Sequence, residues 1–515
     1  MLRPARATLG PLPGIVALER SYRNSTPELL DEAGVIARRT IEIGERDADM
    51  GAMLARNLLW HVNEQAGDGA ATAGVVLQEV FDRGLAYIAA GGNPMELRRH
   101  LLAGAQLVAD ELTRLASPIR GQQQLTQLAN TVCHDAELAG FLGQMLDIIG
   151  EHGQLEIRAG RGRVLEQEYV EGMYWSGKPF SRDMLVTKPQ LRVDLADVAI
   201  LISDLEISAP EQLGPVLDAA LAGGAKSLLV IARSAAASVV GLLISKNVRD
   251  RIVVVGSETP YIGASASAAL DDMAILTGGR AILKAAGDTL QGVRPEDLGH
   301  ARRCWADQNY FGILGARGDP RVLRRHVAAL RAAFSASVDP DARRQLRQRI
   351  GKLLGGSATL WTGGITETEI EARKALAERT SEAVRGALSE GTVPGGGAAL
   401  LDCRHVLRSR AETCLDADEK AAFRILGAAL EAPMRTIVAN AGYDAPQVLA
   451  AVDAAGPGCG FDVCTGQAVE MRVAGIVDSL TVTRTAFVSA VSAGALALTT
   501  DVLVHRSKPT QSTKP

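Results

Sequence analysis

Between residues 198 and 255 the chain alternates Val- and Ile-rich runs with helix-like segments: Val198 to Leu201, Pro210 to Leu221, Leu228 to Ile231, Ala235 to Val248, and Ile252 to Val255. Short apolar runs joined by helical crossovers predict at least partly parallel strands buried on both faces. The flanks have a different texture. Val35, Ile36, Ile41 and Ile43 lead to Met50, Met53, Leu54 and Leu58, and then Met95, Leu97, Leu101, Leu102, Leu107 and Leu112 recur near every 3.6 residues. Pro118 and the polar GQQQ mark a boundary, followed by a helix over Glu137 to Ile149 and a strand-like piece over Leu155 to Ile157. After the alternating region come helices over Val322 to Phe334, Asp341 to Leu354 and Glu367 to Leu388, with a strand-like run over Ala358 to Trp361, and the remainder reads as helical. An α/β insert therefore interrupts helical blocks, and no repeat of 20 to 50 residues accompanies it.

Two glycine features carry the chemistry. Glu64-Gln-Ala-Gly-Asp-Gly-Ala-Ala-Thr-Ala73 opens into the apolar pattern Val75, Val76, Leu77, Val80, Phe81. That layout sets Asp68 and free backbone N–H groups at a helix N-terminus, where phosphate binds readily and a carboxylate can share Mg²⁺ with phosphate oxygens. The plain alternative is a turn and helix cap. Val393-Pro-Gly-Gly-Gly-Ala-Ala-Leu-Leu401 is a second phosphate candidate or a site of close helix packing.

Composition removes several classes. Net charge is −4 and aromatics make up only 4%, which speaks against nucleic acid, anionic membranes and base-stacking surfaces. The six cysteines have neither metal-site nor disulfide-framework spacing and read as reduced apolar residues. There is no GxxxxGK[ST] loop, strand-anchored GxGxxG or HExxH, so a metabolic nucleotide enzyme is disfavoured. The N-terminus lacks a secretory apolar core, and Phe487 to Leu498 is too short to span a bilayer, so a soluble, cytoplasmic protein with no membrane contact is expected.

In their order and separation, eight stretches resemble one family: Thr8 to Pro11 (TLGP), Gly67 to Ala73, Ala89 to Arg99 (AAGGNPMELRR), Glu171 to Met173, Ile275 to Gly279, Gly395 to Gly397, Glu431 to Gly442 (EAPMRTIVANAG) and Gly475 to Phe487 (GIVDSLTVTRTAF). The chain resembles the group I chaperonins, the sixty-kilodalton heat-shock family. The resemblance implies a mixed α and α/β chaperonin fold. A helical equatorial ATP-binding domain would comprise residues 1–114 and 390–515, a hinge-like intermediate domain 115–171 and 358–389, and an inserted α/β apical substrate-binding domain 172–357. It also implies a homo-oligomeric ring, ATP and Mg²⁺ as cofactors, non-native polypeptides as substrates and a lid-like co-chaperonin. The sequence starts within the family's first helix, which weakens the expected join between subunits, and its tail His505 to Pro515 lacks the family's Gly-Gly-Met repeats.

By the same resemblance Asp68 is the Mg²⁺-binding aspartate and Gly69 a phosphate-contacting glycine, while the family's three following threonines become Ala70, Ala71 and Thr72. Thr8, Leu9, Gly10 and Pro11 match further phosphate and base contacts, Gly395 and Gly396 nucleotide-contacting glycines, Asp462 a base contact and Asp478 the ribose-holding aspartate. On the apical insert, Leu213, Val216, Leu217, Val240, Leu243 and Ile244 match residues that capture substrate, although their spacing is also that of a core-facing stripe.

Two family acids needed for hydrolysis are unmatched, so no catalytic residue is assigned. One position is Ala33, in Asp31-Glu32-Ala33-Gly34; the other is Arg379, in Ala377-Glu378-Arg379-Thr380-Ser381. A missing general base costs roughly 10²–10⁴-fold in rate. Asp31, Glu32 or Glu378 can substitute only if the register slips, and Glu378 projects about 100° from Arg379 on a helix. Arg379 is expected either to face the terminal phosphate or to lie on a solvent-facing side of its helix. The expectation is an ATP-binding folding protein with impaired hydrolysis, or alternatively a non-hydrolysing paralogue acting as scaffold or regulator.

Overall fold

The computed structural model describes residues 2–19, 27–40, 43–150, 153–160, 162–171, 173–185, 192–245, 248, 250–261, 263–337, 339–354 and 356–504. Ile41, Gly172 and the tail His505 to Pro515, all used above, lie outside the described residues. The chain divides into two compact units. The first is Met1–Asp147, Ala159–Leu165 and Thr362–Pro515; the second is Ile148–Arg158 and Glu166–Trp361.

The first unit begins with α1 (Leu2–Ala7) and an antiparallel ribbon of β1 (Val16–Leu18) and β2 (Glu28–Leu30). Then come α2 (Ala33–Arg39), α3 (Arg46–Ala66), α4 (Ala70–Ala89), α5 (Pro94–Leu115), α6 (Gln122–Cys133) and α7 (Ala136–Ile149). Local chemistry sets these ends. Asn93 caps α5 by accepting from the N–H groups of Met95 and Glu96, with Pro94 in the first turn, where its missing N–H costs nothing. The GQQQ segment opens α6, whose Leu125, Leu128 and Ala129 are buried at helical spacing.

In the second unit follow β3 (Gln154–Ala159), β4 (Glu166–Glu171), β5 (Met173–Ser176), β6 (Val193–Ser203), β7 (Glu206–Ile207), α8 (Gly214–Ala222), β8 (Ser227–Ala232), β9 (Ser234–Ala235), α9 (Ala237–Ile244) and β10 (Val253–Glu258). The unit is completed by α10 (Ala264–Thr277), β11 (Ala281–Ile282), β12 (Gly299–Ala306), β13 (Tyr310–Ala316), α11 (Pro320–Ala336), α12 (Pro340–Leu354) and β14 (Gly356–Thr362). A seven-stranded sheet runs β10-β8-β6-β12-β13-β5, with β11 also on β6. The β10-β8-β6 part is parallel, as the alternating pattern requires, with Val254 opposite Leu228 and Ile200 opposite Leu229. Antiparallel pairing of β12 (Gly299 opposite Ile200), β13 and β5 makes the whole sheet mixed. Side chains alternate between its faces: Ile200, Ile202, Leu229 and Ile231 join one core with α10, α11 and α12, while Ala199, Leu201, Leu228 and Val230 join another with α8 and α9. A second sheet has the order β3-β14-β4.

The chain then returns to the first unit as α13 (Glu367–Glu390), β15 (Thr392–Pro394), α14 (Ala398–Asp402), α15 (Arg404–Thr413), α16 (Ala417–Asn440), α17 (Ala445–Ala455), β16 (Cys459–Asp462), β17 (Gln467–Glu470), β18 (Val477–Ser479) and α18 (Leu480–Leu498). This stretch is not uniformly helical: β16 and β17 form a hairpin, and β15 pairs with β18. The first unit's largest core joins both ends of the chain around α4, which packs against α3, α16 and α18 through Val76, Val80, Leu59, Leu426, Phe487 and Val491. Among the described residues α18 is the one helix long and apolar enough to cross a membrane, and half of that stretch is buried inside the fold. All six cysteines are free.

Candidate functional site

α3 ends and α4 begins within three residues, and glycine makes that possible. Gly67 adopts φ 75° as it donates its N–H to the Asn63 carbonyl, and Gly69 adopts φ 91° at the start of α4. Side-chain-bearing residues avoid this left-handed region. Space forbids a side chain as well: a Cβ at Gly67 would run into the Arg379 carbonyl oxygen on α13, and one at Gly69 would stand 2.9 Å from Val482 Cγ1 on α18. The turn is thus wedged between two helices that come from the far end of the sequence. No side chain caps α4, so its first amides are left to whatever occupies the turn, in the field of the helix's positive end.

Asp68, at the apex, is exposed by surface area, yet protein groups crowd it on most sides, as befits a carboxylate on the floor of an open cleft. Burial, and then the Glu32 carboxylate, push its pKa above the ordinary range; the Gly69 N–H, Arg379 and His134 pull it back. Because water reaches Asp68, the push from burial is weaker than in a closed interior. The second carboxylate is Asp478, carried by β18 opposite Val393 of β15. Burial, reinforced by the Asp68 charge and opposed by the Gly396 N–H, pushes Asp478 up to about 7. The glycine turn after β15 closes on the same strand: Gly395 N donates to the Ile476 carbonyl at 3.0 Å, and a Cβ there would lie 3.1 Å from Asp478 Oδ1. Asp68, Gly69, Gly395, Gly396 and Asp478 are therefore brought together.

The Asp68 charge raises the Asp478 pKa, and a cation between two such carboxylates would relieve that cost. Among the described residues no group of three or more His, Cys, Asp or Glu side chains is able to hold a metal alone. A two-carboxylate cleft beside an uncapped helix N-terminus fits instead an ion that brings its own oxygens, as Mg²⁺ on phosphate does.

The opposite wall is formed by the start of α2 and by α13. Glu32 caps α2, its two oxygens accepting from Gly34 N and Val35 N at 2.7 Å each, and one of them lies 3.1 Å from an Arg379 guanidinium nitrogen. Ala33, the position matched to a family acid, is 2% exposed and belongs to the first unit's core. The acid at this wall is Glu32. Sequence reasoning entertained it only as a slipped register, and the signal was the adjacent Glu-Ala pair. Glu378 senses Lys374 and Glu371, one and two turns back on its own helix, and not Asp68. Arg379 Nε is buried without a hydrogen-bond partner.

Other expected residues are placed differently. Leu9 packs with Ala71 and Val75 near the start of α4, which brings the Thr8–Pro11 loop to the cleft, and Asn440 Nδ2 ties the loop down through the Arg6 and Leu9 carbonyls at 2.9 Å. Thr8 is buried and its hydroxyl donates to the Ala5 carbonyl at 2.9 Å, so its proton is not free for phosphate. Asp462 spends both carboxylate oxygens in the β16–β17 turn, on Cys464 N (2.9 Å) and Thr465 Oγ1 (2.8 Å). In the second unit, Leu213, Val216 and Leu243 are core residues no more than 1% exposed, which corrects their assignment as surface capture residues; only Leu217, Val240 and Ile244 are partly exposed.

The model of the TCP-1/cpn60 chaperonin family matches residues 40–508. Members of that family bind non-native polypeptides and oligomerise. With nearly its whole length matched and the mixed helical and α/β architecture described above, the chain belongs to the chaperonins of the GroEL/cpn60 type, whose work is assistance in protein folding.

Proposed function

We propose that this chaperonin binds ATP with Mg²⁺ at the cleft of Asp68 and Asp478 and hydrolyses it poorly. The observation that carries the reading is the Asp68 carboxylate in the turn before the uncapped start of α4, with a second carboxylate, Asp478, close enough for the Asp68 charge to raise its pKa. Asp68 would hold the cation-bearing end of the ligand, Asp478 its ribose, as the resemblance implies, and the amides of Ala70, Ala71 and Thr72 its phosphate oxygens. Bound Mg²⁺ would neutralise phosphate charge. Weak hydrolysis follows from the other wall, where Arg379 neutralises Glu32 and two amides occupy the same carboxylate. With both oxygens committed to amides and a guanidinium, that carboxylate has no free oxygen with which to orient an attacking water.

The domain division read from the sequence, a cytoplasmic location, a homo-oligomeric ring and a co-chaperonin lid belong to the same proposal. The Arg379–Glu32 pair favours a second reading as well, a subunit that binds nucleotide as a scaffold or regulator without turning it over. Calorimetric titration with ATP, with and without Mg²⁺, together with phosphate-release kinetics, tests both. The proposal expects Mg²⁺-dependent binding that weakens at least about tenfold in Asp68→Ala. Absence of such binding in the wild type refutes it. Turnover equal to that of a hydrolysing chaperonin assayed alongside refutes its second half, and no turnover at all selects the scaffold reading.

A further inference from the structure

Away from the nucleotide cleft, a cavity of about 350 Å³ opens between α15 and α16, with Arg83 of α4 at its side. Its charged lining is Arg83, Arg404, Arg408, Arg424 and Glu431. The single acid is already engaged by Arg404 at 2.7 Å and by Arg435 at 2.6 Å. Arg83 pairs with Glu79, and the buried Arg404 also reaches the Leu401 carbonyl and Asp453. Arg408 and Arg424 are exposed, and their guanidinium groups make no hydrogen bond or ion pair among the described residues. The floor is apolar, built from Leu407, Ala411, Phe423 and Ala428. A second cavity of about 150 Å³ shares Arg404 and Arg408.

Gly427 supplies an independent observation. It lies inside α16, where glycine is a poorer helix former than alanine, and its φ is not in the left-handed region. A Cβ there would meet nothing within 4 Å. Neither backbone conformation nor packing requires the glycine. It leaves the cavity floor open.

We infer that this cavity binds a phosphomonoester with an apolar body, its dianion held by Arg408 and Arg424 and its body lying on Phe423 and Leu407 over Gly427. A phosphomonoester carries about −1.5 to −2 charge near pH 7, which two guanidinium forks match. The cavity volume lies within the usual range for small-molecule sites. None of the lining residues belongs to the Asp68–Asp478 cleft, so the two sites are separable by mutation.

The test is calorimetric titration of the full chain with phenyl phosphate, and separately with inorganic phosphate and with phenol. Phenyl phosphate is expected to bind the wild type at least about tenfold more tightly than either fragment, and to weaken at least about tenfold both in Gly427→Leu, which fills the floor without touching charge, and in the double variant Arg408→Ala/Arg424→Ala. ATP affinity should stay within about twofold in both variants, because neither touches the cleft. No binding to the wild type, or binding unchanged in either folded variant, overturns the inference. If Gly427→Leu fails its thermal-melt check, the arginine double variant, altered only at exposed positions, decides alone.

Discussion

Arg379 lies 3.1 Å from Glu32, so the position matched to one hydrolytic acid carries a cation that neutralises the acid beside the other such position. The two substitutions read from the sequence as independent losses are one arrangement in space. Charge reversal on α13 is accommodated because α2 offers a carboxylate at its cap. Asp68 senses both partners, Glu32 raising its pKa and Arg379 lowering it, so the pair reaches electrostatically into the cleft.

Arg379→Asp removes the cation and returns an acid to α13. Turnover of ATP is expected to rise by at least about tenfold, toward the 10²–10⁴-fold that a positioned base contributes. Phosphate release at saturating ATP measures it, and an unchanged rate means that something other than this charge limits hydrolysis. Ala33→Asp is the poorer experiment, because residue 33 is buried in the core and its carboxylate would have to be desolvated.

Asp478 makes stability depend on pH without ligand. Its folded-state value of about 7 lies above that of an unfolded aspartate, so the folded state holds the extra proton between roughly pH 4 and 7. The associated stability is fully present below about pH 4 and is lost as pH rises through 7. Thermal melts in metal-free buffer should therefore show the wild type less stable at pH 8 than at pH 6. Asp478→Asn should flatten that slope and melt higher than the wild type at pH 8. Added Mg²⁺ should narrow the difference between the two proteins at pH 8 by screening the Asp68–Asp478 repulsion.

The missing threonines after Gly69 are separable by burial. Ala71 is partly exposed near the start of α4, whereas Ala70 is 2% exposed and part of the core. Ala71→Thr should tighten ATP binding about tenfold, the value of one hydrogen bond to a charged group. Ala70→Thr should instead destabilise the fold by about 1–3 kcal/mol through overpacking. Equilibrium titration and urea unfolding of the two variants read these effects. Equal behaviour of both would mean that α4 does not present its first turn to ligand in this way.

The glycines around Asp68 announced a turn, and the apolar periodicities announced most helices, because both depend on local geometry. The Asp68–Asp478 pairing was not readable from spacing, since the residues sit at opposite ends of the chain and are joined by the packing of α18, which follows β18, on α4; resemblance alone put them at one site. Glu32 was displaced by a single residue because the sequence Glu32-Ala33-Gly34 does not say which residue caps α2. β12 escaped notice because Arg302 and Arg303, both exposed although they lie on opposite faces of the strand, interrupt its apolar pattern. Side-chain direction on short helices was likewise invisible: a stripe at helical spacing is the same whether it faces a core or a substrate.

That ambiguity on α8 and α9 gives the remaining prediction. Leu213, Val216 and Leu243 are buried against the sheet, so replacing any of them with Ser leaves a cavity and a hydroxyl in the core, and should destabilise the fold by about 2–5 kcal/mol in urea unfolding. Leu217, Val240 and Ile244 lie at the edge of the same core and keep part of their surface in water. Replacing these three with Ser should cost about 1 kcal/mol or less each, while removing the apolar surface that a non-native polypeptide can touch. Suppression of aggregation of a chemically denatured protein should therefore fall in the edge variants at nearly unchanged stability. If suppression survives the triple edge substitution, capture does not use these helices, and a polypeptide-binding surface must be sought elsewhere on the second unit.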